Sequence, residues 1–373
     1  MTVFYKNLNS VRCIAAGLVI VHHIEQNKQF NGLPNYFDNS VIVLFGKLGV
    51  DIFFVLSGFL ITSLLVIEKE KYQHISIGKF YMRRILRIWP LYFLIAILAL
   101  FVWPHVPALH IKQMVDPHLH FIPNILLIFF FLPNLQLLLY QSIAYEVQAW
   151  SIGVEEQFYL FWPFVVNFTK NKAHFKKAVI GLLAAYLLIK IGWVVTPLVL
   201  HRFHRLDNFA HYLAYVFQID CMMIGALFGL LNMEEPAKKI LTSKAVQIGA
   251  YLIALGFLAM GWQFGYFYWE VYGVLFGIMI LNLVNTETSL INLDFKWMDY
   301  LGKISYSMYM IHVLLIIIVI RFVTHNSFLI YPLVFLLTII VSVLSFEFFE
   351  KPFLRFKSGF AKIQSGRDEK VGM

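Results

Sequence analysis

Residues 46–67 read GKLGVDIFFVLSGFLITSLLVI, with Lys47 and Asp51 as the only charged side chains. At about 1.5 Å per residue a helix of this length covers about 33 Å, the thickness of a bilayer's hydrocarbon core. A backbone in lipid must satisfy its own N–H and C=O groups, so a single apolar segment of this kind spans as a helix. Gly49, Ser57 and Gly58 are small positions that let a neighbouring helix approach closely. The stretch reads as a membrane helix, and the same measure extends to both sides of it.

Working outward, the measure predicts helices near 8–25, 46–67, 85–103, 149–168, 178–199, 213–231, 245–262, 266–285, 302–322 and 329–349, about ten transmembrane helices. The segment 124–140 is short and interrupted by Pro133 and Asn134, so it is expected to be re-entrant or interfacial. Composition agrees: 60% of the 373 residues are hydrophobic and only 14% charged, too few polar groups to clothe a soluble domain of this size. The expected fold class is all-α, a polytopic integral membrane helical bundle forming one domain over 1–373. A short basic tail is expected over 357–373.

The net charge of +9 does not indicate a nucleic-acid partner, because the basic residues collect in short loops between apolar runs. With the N-terminus placed in the cytoplasm, 22 of the 30 Lys and Arg residues fall in inside segments and four in outside loops. Both termini are therefore expected to be cytoplasmic, in a multi-pass protein of the cytoplasmic (inner) membrane. Cys13 and Cys221 both sit in apolar runs and form neither a disulfide framework nor a zinc spacing, so no metal site is expected.

Ionisable groups inside such helices cost several kcal/mol unless paired or wetted, which makes each a candidate for function. Arg12 and His23 are eleven residues apart, three turns plus about 20°, and so share one face of the first helix about 16 Å apart. On this topology His23 lies in the outer half, and Asp51 of the next helix is expected at its depth. A carboxylate there would fix the tautomer of an imidazole base, although Asp51 would also suit a helix N-terminus. In 79–90, KFYMRRILRIWP, Arg84 and Arg87 belong to a cationic ridge suited to phosphate oxygens or to lipid headgroups. In 150–163, WSIGVEEQFYLFWP, Ser151, Glu155 and Tyr159 recur every four residues and share a face, expected in the outer half near His23 and Asp51. His312 in 301–312, LGKISYSMYMIH, is a second candidate base on a partly polar stripe.

Taken together, Arg12 with His23, GVDIFFVLSGFLI at 49–61, FYMRRILRIWP at 80–90, WSIGVEEQFYLFWP, LGKISYSMYMIH and FEFFEKP at 346–352 resemble the acyltransferase 3 family of membrane acyltransferases. The resemblance implies a cytoplasmic acyl-CoA co-substrate, usually acetyl-CoA, and a saccharide or glycolipid acceptor acylated on the outer side. It also implies that Arg12, His23, Asp51, Arg84, Arg87, Ser151 and Glu155 are functional residues. Many members carry an additional hydrolase-like domain outside the membrane. Without one, the acceptor is expected to be acylated by the membrane domain itself or by a separate partner.

The expected mechanism places CoA phosphates on Arg84 and Arg87 with Arg12. His23, oriented by Asp51 or Glu155, acts as base toward an acceptor hydroxyl, or toward Ser151 in a two-step version. No G-x-S-x-G elbow is present, which favours direct transfer. The competing reading is a transporter or exporter of a lipid-linked or anionic solute whose pathway carries the same charges.

Overall fold

A computed structural model describes residues 2–109, 119–140, 143–200, 215–360 and 363–365. Its body is helical. The N-terminal half contains α1 (Leu8–Phe30), α2 (Ser40–Tyr72), α3 (Ile77–Ile97), α4 (Phe121–Phe129), α5 (Pro133–Leu139), α6 (Trp150–Phe168) and α7 (Lys172–Leu200). The C-terminal half contains α8 (Ile219–Leu231), α9 (Glu235–Leu241), α10 (Lys244–Ala259), α11 (Tyr268–Val284), α12 (Lys296–Lys303), α13 (Ser305–Ile318), α14 (Ser327–Leu344) and α15 (Lys351–Ser358). One short parallel pairing joins the ends, with β1 (Thr2–Val3) against β2 (Gln364–Ser365).

A helix stands at each of the ten predicted stretches. By length and composition, five continuous helical stretches among the described residues could cross a membrane: Ser40–Tyr72, Ile77–His105, Gly265–Val284, Ser305–Val323 and Ser327–Lys357. A sixth is available if α9 and α10, bent by 55° at their junction, form one broken span. Ten crossings and cytoplasmic termini therefore rest on the charge pattern, in which Lys112, Arg202, Arg205, Lys362, Arg367 and Lys370 lie outside the described residues. The stretch 124–140 forms α4 and α5, of nine and seven residues. Each is too short to span, and Phe131 between them has φ 59°. Many outward side chains are large and apolar, such as Leu160, Phe328 and Phe348, as a lipid-facing surface requires.

The centre of the bundle is set by backbone contact between α2 and α8. A Cβ added at Gly58 would lie 1.9 Å from the Met222 carbonyl oxygen, and one at Gly225 would lie 2.0 Å from the Val55 carbonyl oxygen. Each glycine is thus the seat of the opposing helix, the close approach that small residues permit. Gly49 does the same on the other side of α2, where an added Cβ would meet the Ala15 carbonyl oxygen at 2.6 Å. These two contacts clamp α2 between α1 and α8 and fix its rotation. A buried ion cluster ties α7 to α8 and α11, with Lys190 Nζ 2.6 Å from Glu270 and 3.7 Å from Asp220.

The described part of the basic tail is docked on the bundle instead of standing free. α15 packs on α3, and Arg83 donates from Nη1 to the Phe360 carbonyl oxygen at 2.8 Å. Arg83 is itself steadied by Glu68 at 3.6 Å.

Candidate active site

Five of the predicted residues meet in one cavity of about 420 Å³, walled by α1, α2, α3, α6 and α13 with contributions from α12 and α15. Arg12, Arg84 and Arg87 line it, and so do Ser151 and Glu155. The four-residue spacing on α6 explains the arrangement, because Ser151, Glu155 and Tyr159 run along its cavity face in successive turns. Tyr159 marks the cationic end, where the Arg84 guanidinium lies 5.7 Å from its ring and 5.9 Å from that of Phe80. Ser151 marks the other end, two turns away.

The cationic end is under-neutralised. Arg12 donates to Asn9 Oδ1 at 2.7 Å and Arg87 to the Lys303 carbonyl oxygen at 3.1 Å, both neutral partners. Nε of Arg84 is buried without an acceptor. Among the described residues none of Arg12, Arg84 and Arg87 has a carboxylate within 4 Å. Glu155, the carboxylate of the cavity wall, accepts instead from Ser57 Oγ and Tyr159 OH, each at 2.9 Å. Two cations outside the predicted set, Lys303 and Lys357, also line the space.

At the opposite end Ser151 Oγ lies 2.8 Å from Tyr309 OH, and Tyr309 OH donates to the Gln148 carbonyl oxygen at 2.9 Å. One turn along α13 from Tyr309, His312 Nδ1 is 2.7 Å from the Tyr309 carbonyl oxygen, and its Nε2 is 3.1 Å from His23 Nδ1. His23 Nδ1 is also 3.0 Å from the Val19 carbonyl oxygen. The protons of the neutral pair follow from these acceptors. His312 Nδ1 must donate to its carbonyl, so His312 Nε2 is an acceptor. His23 Nδ1 then carries the proton shared between Val19 O and His312, and His23 Nε2 is left with a free lone pair. His23 stands beside the cavity, behind Tyr309 and His312, and is not part of its wall.

Among the described residues no carboxylate is hydrogen-bonded to His23, and His312 occupies the position expected of one. Asp51 is buried in α2, but the rotation fixed by Gly49 and Gly58 turns it toward the far side, among Cys221, Asp220, Glu270 and Lys190. Neither Asp51 oxygen has a hydrogen-bond partner among the described residues. Glu155 does not orient His23 either, because its hydrogen bonds go to Ser57 and Tyr159 on the arginine side. Sequence spacing put His312 on the correct stripe without revealing that it faces His23. Lys357 gave no sequence signal, since a lysine in a polar tail looks like any solvated charge.

A model of an acyltransferase domain matches residues 5–347. The chain belongs to that acyltransferase family. The match covers Arg12, His23, Asp51, Arg84, Arg87, Ser151, Glu155 and His312, while Lys357 lies beyond it. Among curated proteins, this acyltransferase-family chain is similar to O-acetyltransferase OatA of Staphylococcus aureus strains NCTC 8325 / PS 47 and COL, 28% identical to each over 369 residues. The similarity covers 94% of this chain and 57% of each relative, so the chain spans little more than half the length of the proteins it matches. No solved structure matches.

Proposed function

We propose that the chain moves an acyl group, an acetyl group by preference, from cytoplasmic acyl-CoA to a hydroxyl of a carbohydrate-like acceptor on the outer side of the membrane. The observation that carries this reading is the polarity of this cavity. At one end stand arginines without carboxylate partners, and at the other a Ser151–Tyr309 hydroxyl pair backed by His312 and His23. Arginines without carboxylate partners in a low-dielectric site suit a polyphosphorylated ligand, which guanidinium groups bind through charge-assisted hydrogen bonds. The relatives' name, O-acetyltransferase, gives the same transferred acetyl group and an oxygen acceptor.

In the proposed reaction Arg12, Arg84 and Arg87 hold the CoA phosphates, and the pantetheine arm runs along the α6 face toward Ser151 and Tyr309. His23 Nε2 takes the proton of the acceptor hydroxyl. The oxygen attacks the thioester carbonyl, the C–S bond breaks, and the sulfur leaves with the proton returned by His23. Ester and free thiol are the products, with no net proton released. His312 holds the His23 ring in the tautomer that exposes Nε2, the part expected of Asp51 from sequence. Asp51 acts at a distance, through the position of α2.

The test is acyl-CoA consumption. Membranes from cells expressing the chain and from a null strain are given radiolabelled acetyl-CoA, and free CoA and alkali-labile ester are measured. Expression-dependent appearance of both is expected. Label that neither leaves CoA nor enters an ester would overturn the proposal and favour a transport role for the same charges.

A further inference from the structure

From its place in the cavity we infer that Lys357, on the C-terminal helix α15, is a donor-phosphate ligand, so that this helix forms one wall of the donor site. The inference rests on the acyl-CoA reading above and extends it to a residue outside the matched family segment. Three observations carry it. Lys357 lines the same space as Arg12, Arg84 and Arg87, and among the described residues it has no salt-bridge partner. Its electrostatic neighbours are the arginines Arg84, Arg87, Arg12 and Arg83, and among the described residues only Arg83 of these has a carboxylate within 4 Å, that of Glu68. The helix is also held there: α15 packs on α3, and Arg83 of α3 binds the Phe360 carbonyl oxygen just beyond it.

The charge balance gives the ligand class. Arg12, Arg84, Arg87, Lys303 and Lys357 line the cavity; Asp299 pairs with Lys303 at 3.6 Å and Glu155 is the carboxylate of the lining, which leaves a formal surplus of three positive charges among the described residues. A nucleotide thioester with a diphosphate and a separate phosphomonoester brings about four negative charges at neutral pH, nearly two of them on the monoester. With Lys357 the surplus is one charge short of that ligand, and without it two short. An uncharged acyl donor, or one with a single carboxylate, would leave several cations crowded and unpaired in a low-dielectric site, which costs far more than it would in water.

The experiment compares two donors on the full chain in proteoliposomes: acetyl-CoA, and S-acetylpantetheine, which has the same thioester without phosphates. The readout is the ratio of kcat/KM for the two. In the parent the ratio should be large. In Lys357→Met, which keeps the aliphatic stem, it should fall about tenfold to a hundredfold through KM for acetyl-CoA, the usual worth of one charge-assisted contact. Lys357→Arg should recover most of it. If the parent has a large ratio that Lys357→Met leaves unchanged, or loses both donors in equal proportion, the inference about Lys357 is wrong while the donor reading stands. If the parent uses both donors equally well, the donor reading fails and the inference with it. Should Lys357→Met not insert, binding of 3′,5′-ADP to Lys357→Arg and Lys357→Gln decides in the same way, weakening only in the glutamine variant if the inference is correct.

Discussion

His23 and Arg12 share one face of one helix, yet the structure gives them different surroundings and therefore different expected defects. His23→Ala should insert normally and bind acyl-CoA while transfer falls by about 10²- to 10⁴-fold, the range of general acid–base catalysis. Near-normal turnover in the purified variant would move the base elsewhere. His312→Leu removes one of the two acceptors of His23 Nδ1, leaving the Val19 carbonyl, and should lower kcat with little change in donor KM, whereas His312→Gln, which can still accept a hydrogen bond, should recover part of the loss. A change confined to KM would show that His312 belongs to binding. Arg84→Ala and Arg87→Ala should each raise the donor KM by about tenfold or more, and exposed Lys79→Ala should not. Equal effects from all three would indicate lipid anchoring. The sequence displayed the members of this site well wherever helical spacing governs, as for Ser151 and Glu155 on α6 or Arg84 and Arg87 on α3. It misled at Asp51, because which residues of two helices face each other depends on how each helix is rotated. That rotation is set by a third helix.

At the scale of elements, the α2–α8 contact is where the rotation is decided. Gly58→Ala and Gly225→Ala each place a Cβ about 2 Å from a backbone carbonyl of the partner helix, so the helices must separate. A loss of about 1 to 3 kcal/mol is expected, or failure to insert, with the cavity distorted in either case. Gly17→Ala in α1 meets nothing within 4 Å and should be neutral or slightly stabilising. Thermal unfolding in detergent of the three variants separates the two behaviours, and equal destabilisation would deny α2–α8 its special role. Gly58 reads from sequence as a packing position, but its partner Gly225 lies 167 residues away and nothing local joins the two. The ion cluster behind α2 is the second fastening. Lys190→Met leaves Asp51, Asp220 and Glu270 buried without a counter-charge and should destabilise by about 3 kcal/mol or more. An unchanged unfolding temperature would show that the carboxylates carry no charge for the lysine to balance.

For the whole molecule, the positive-inside pattern makes a direct prediction about sidedness. A reporter inserted after Lys170 should read cytoplasm and one after Asn326 the outside; reversal of the pair would turn the donor cavity outward and undo the proposed direction of transfer. The backbone pairing of Thr2–Val3 with Gln364–Ser365 adds a condition independent of charge. If both paired segments lie outside the lipid they occupy the same aqueous compartment, and the chain between them returns to the side from which it started. The number of crossings is then even. On that condition five crossings, the tally of unbroken apolar helices among the described residues, are excluded by parity, whereas six and ten are both allowed. A cysteine cross-link between the two paired segments, formed in intact membranes, would therefore count crossings modulo two without any reporter inside the membrane domain.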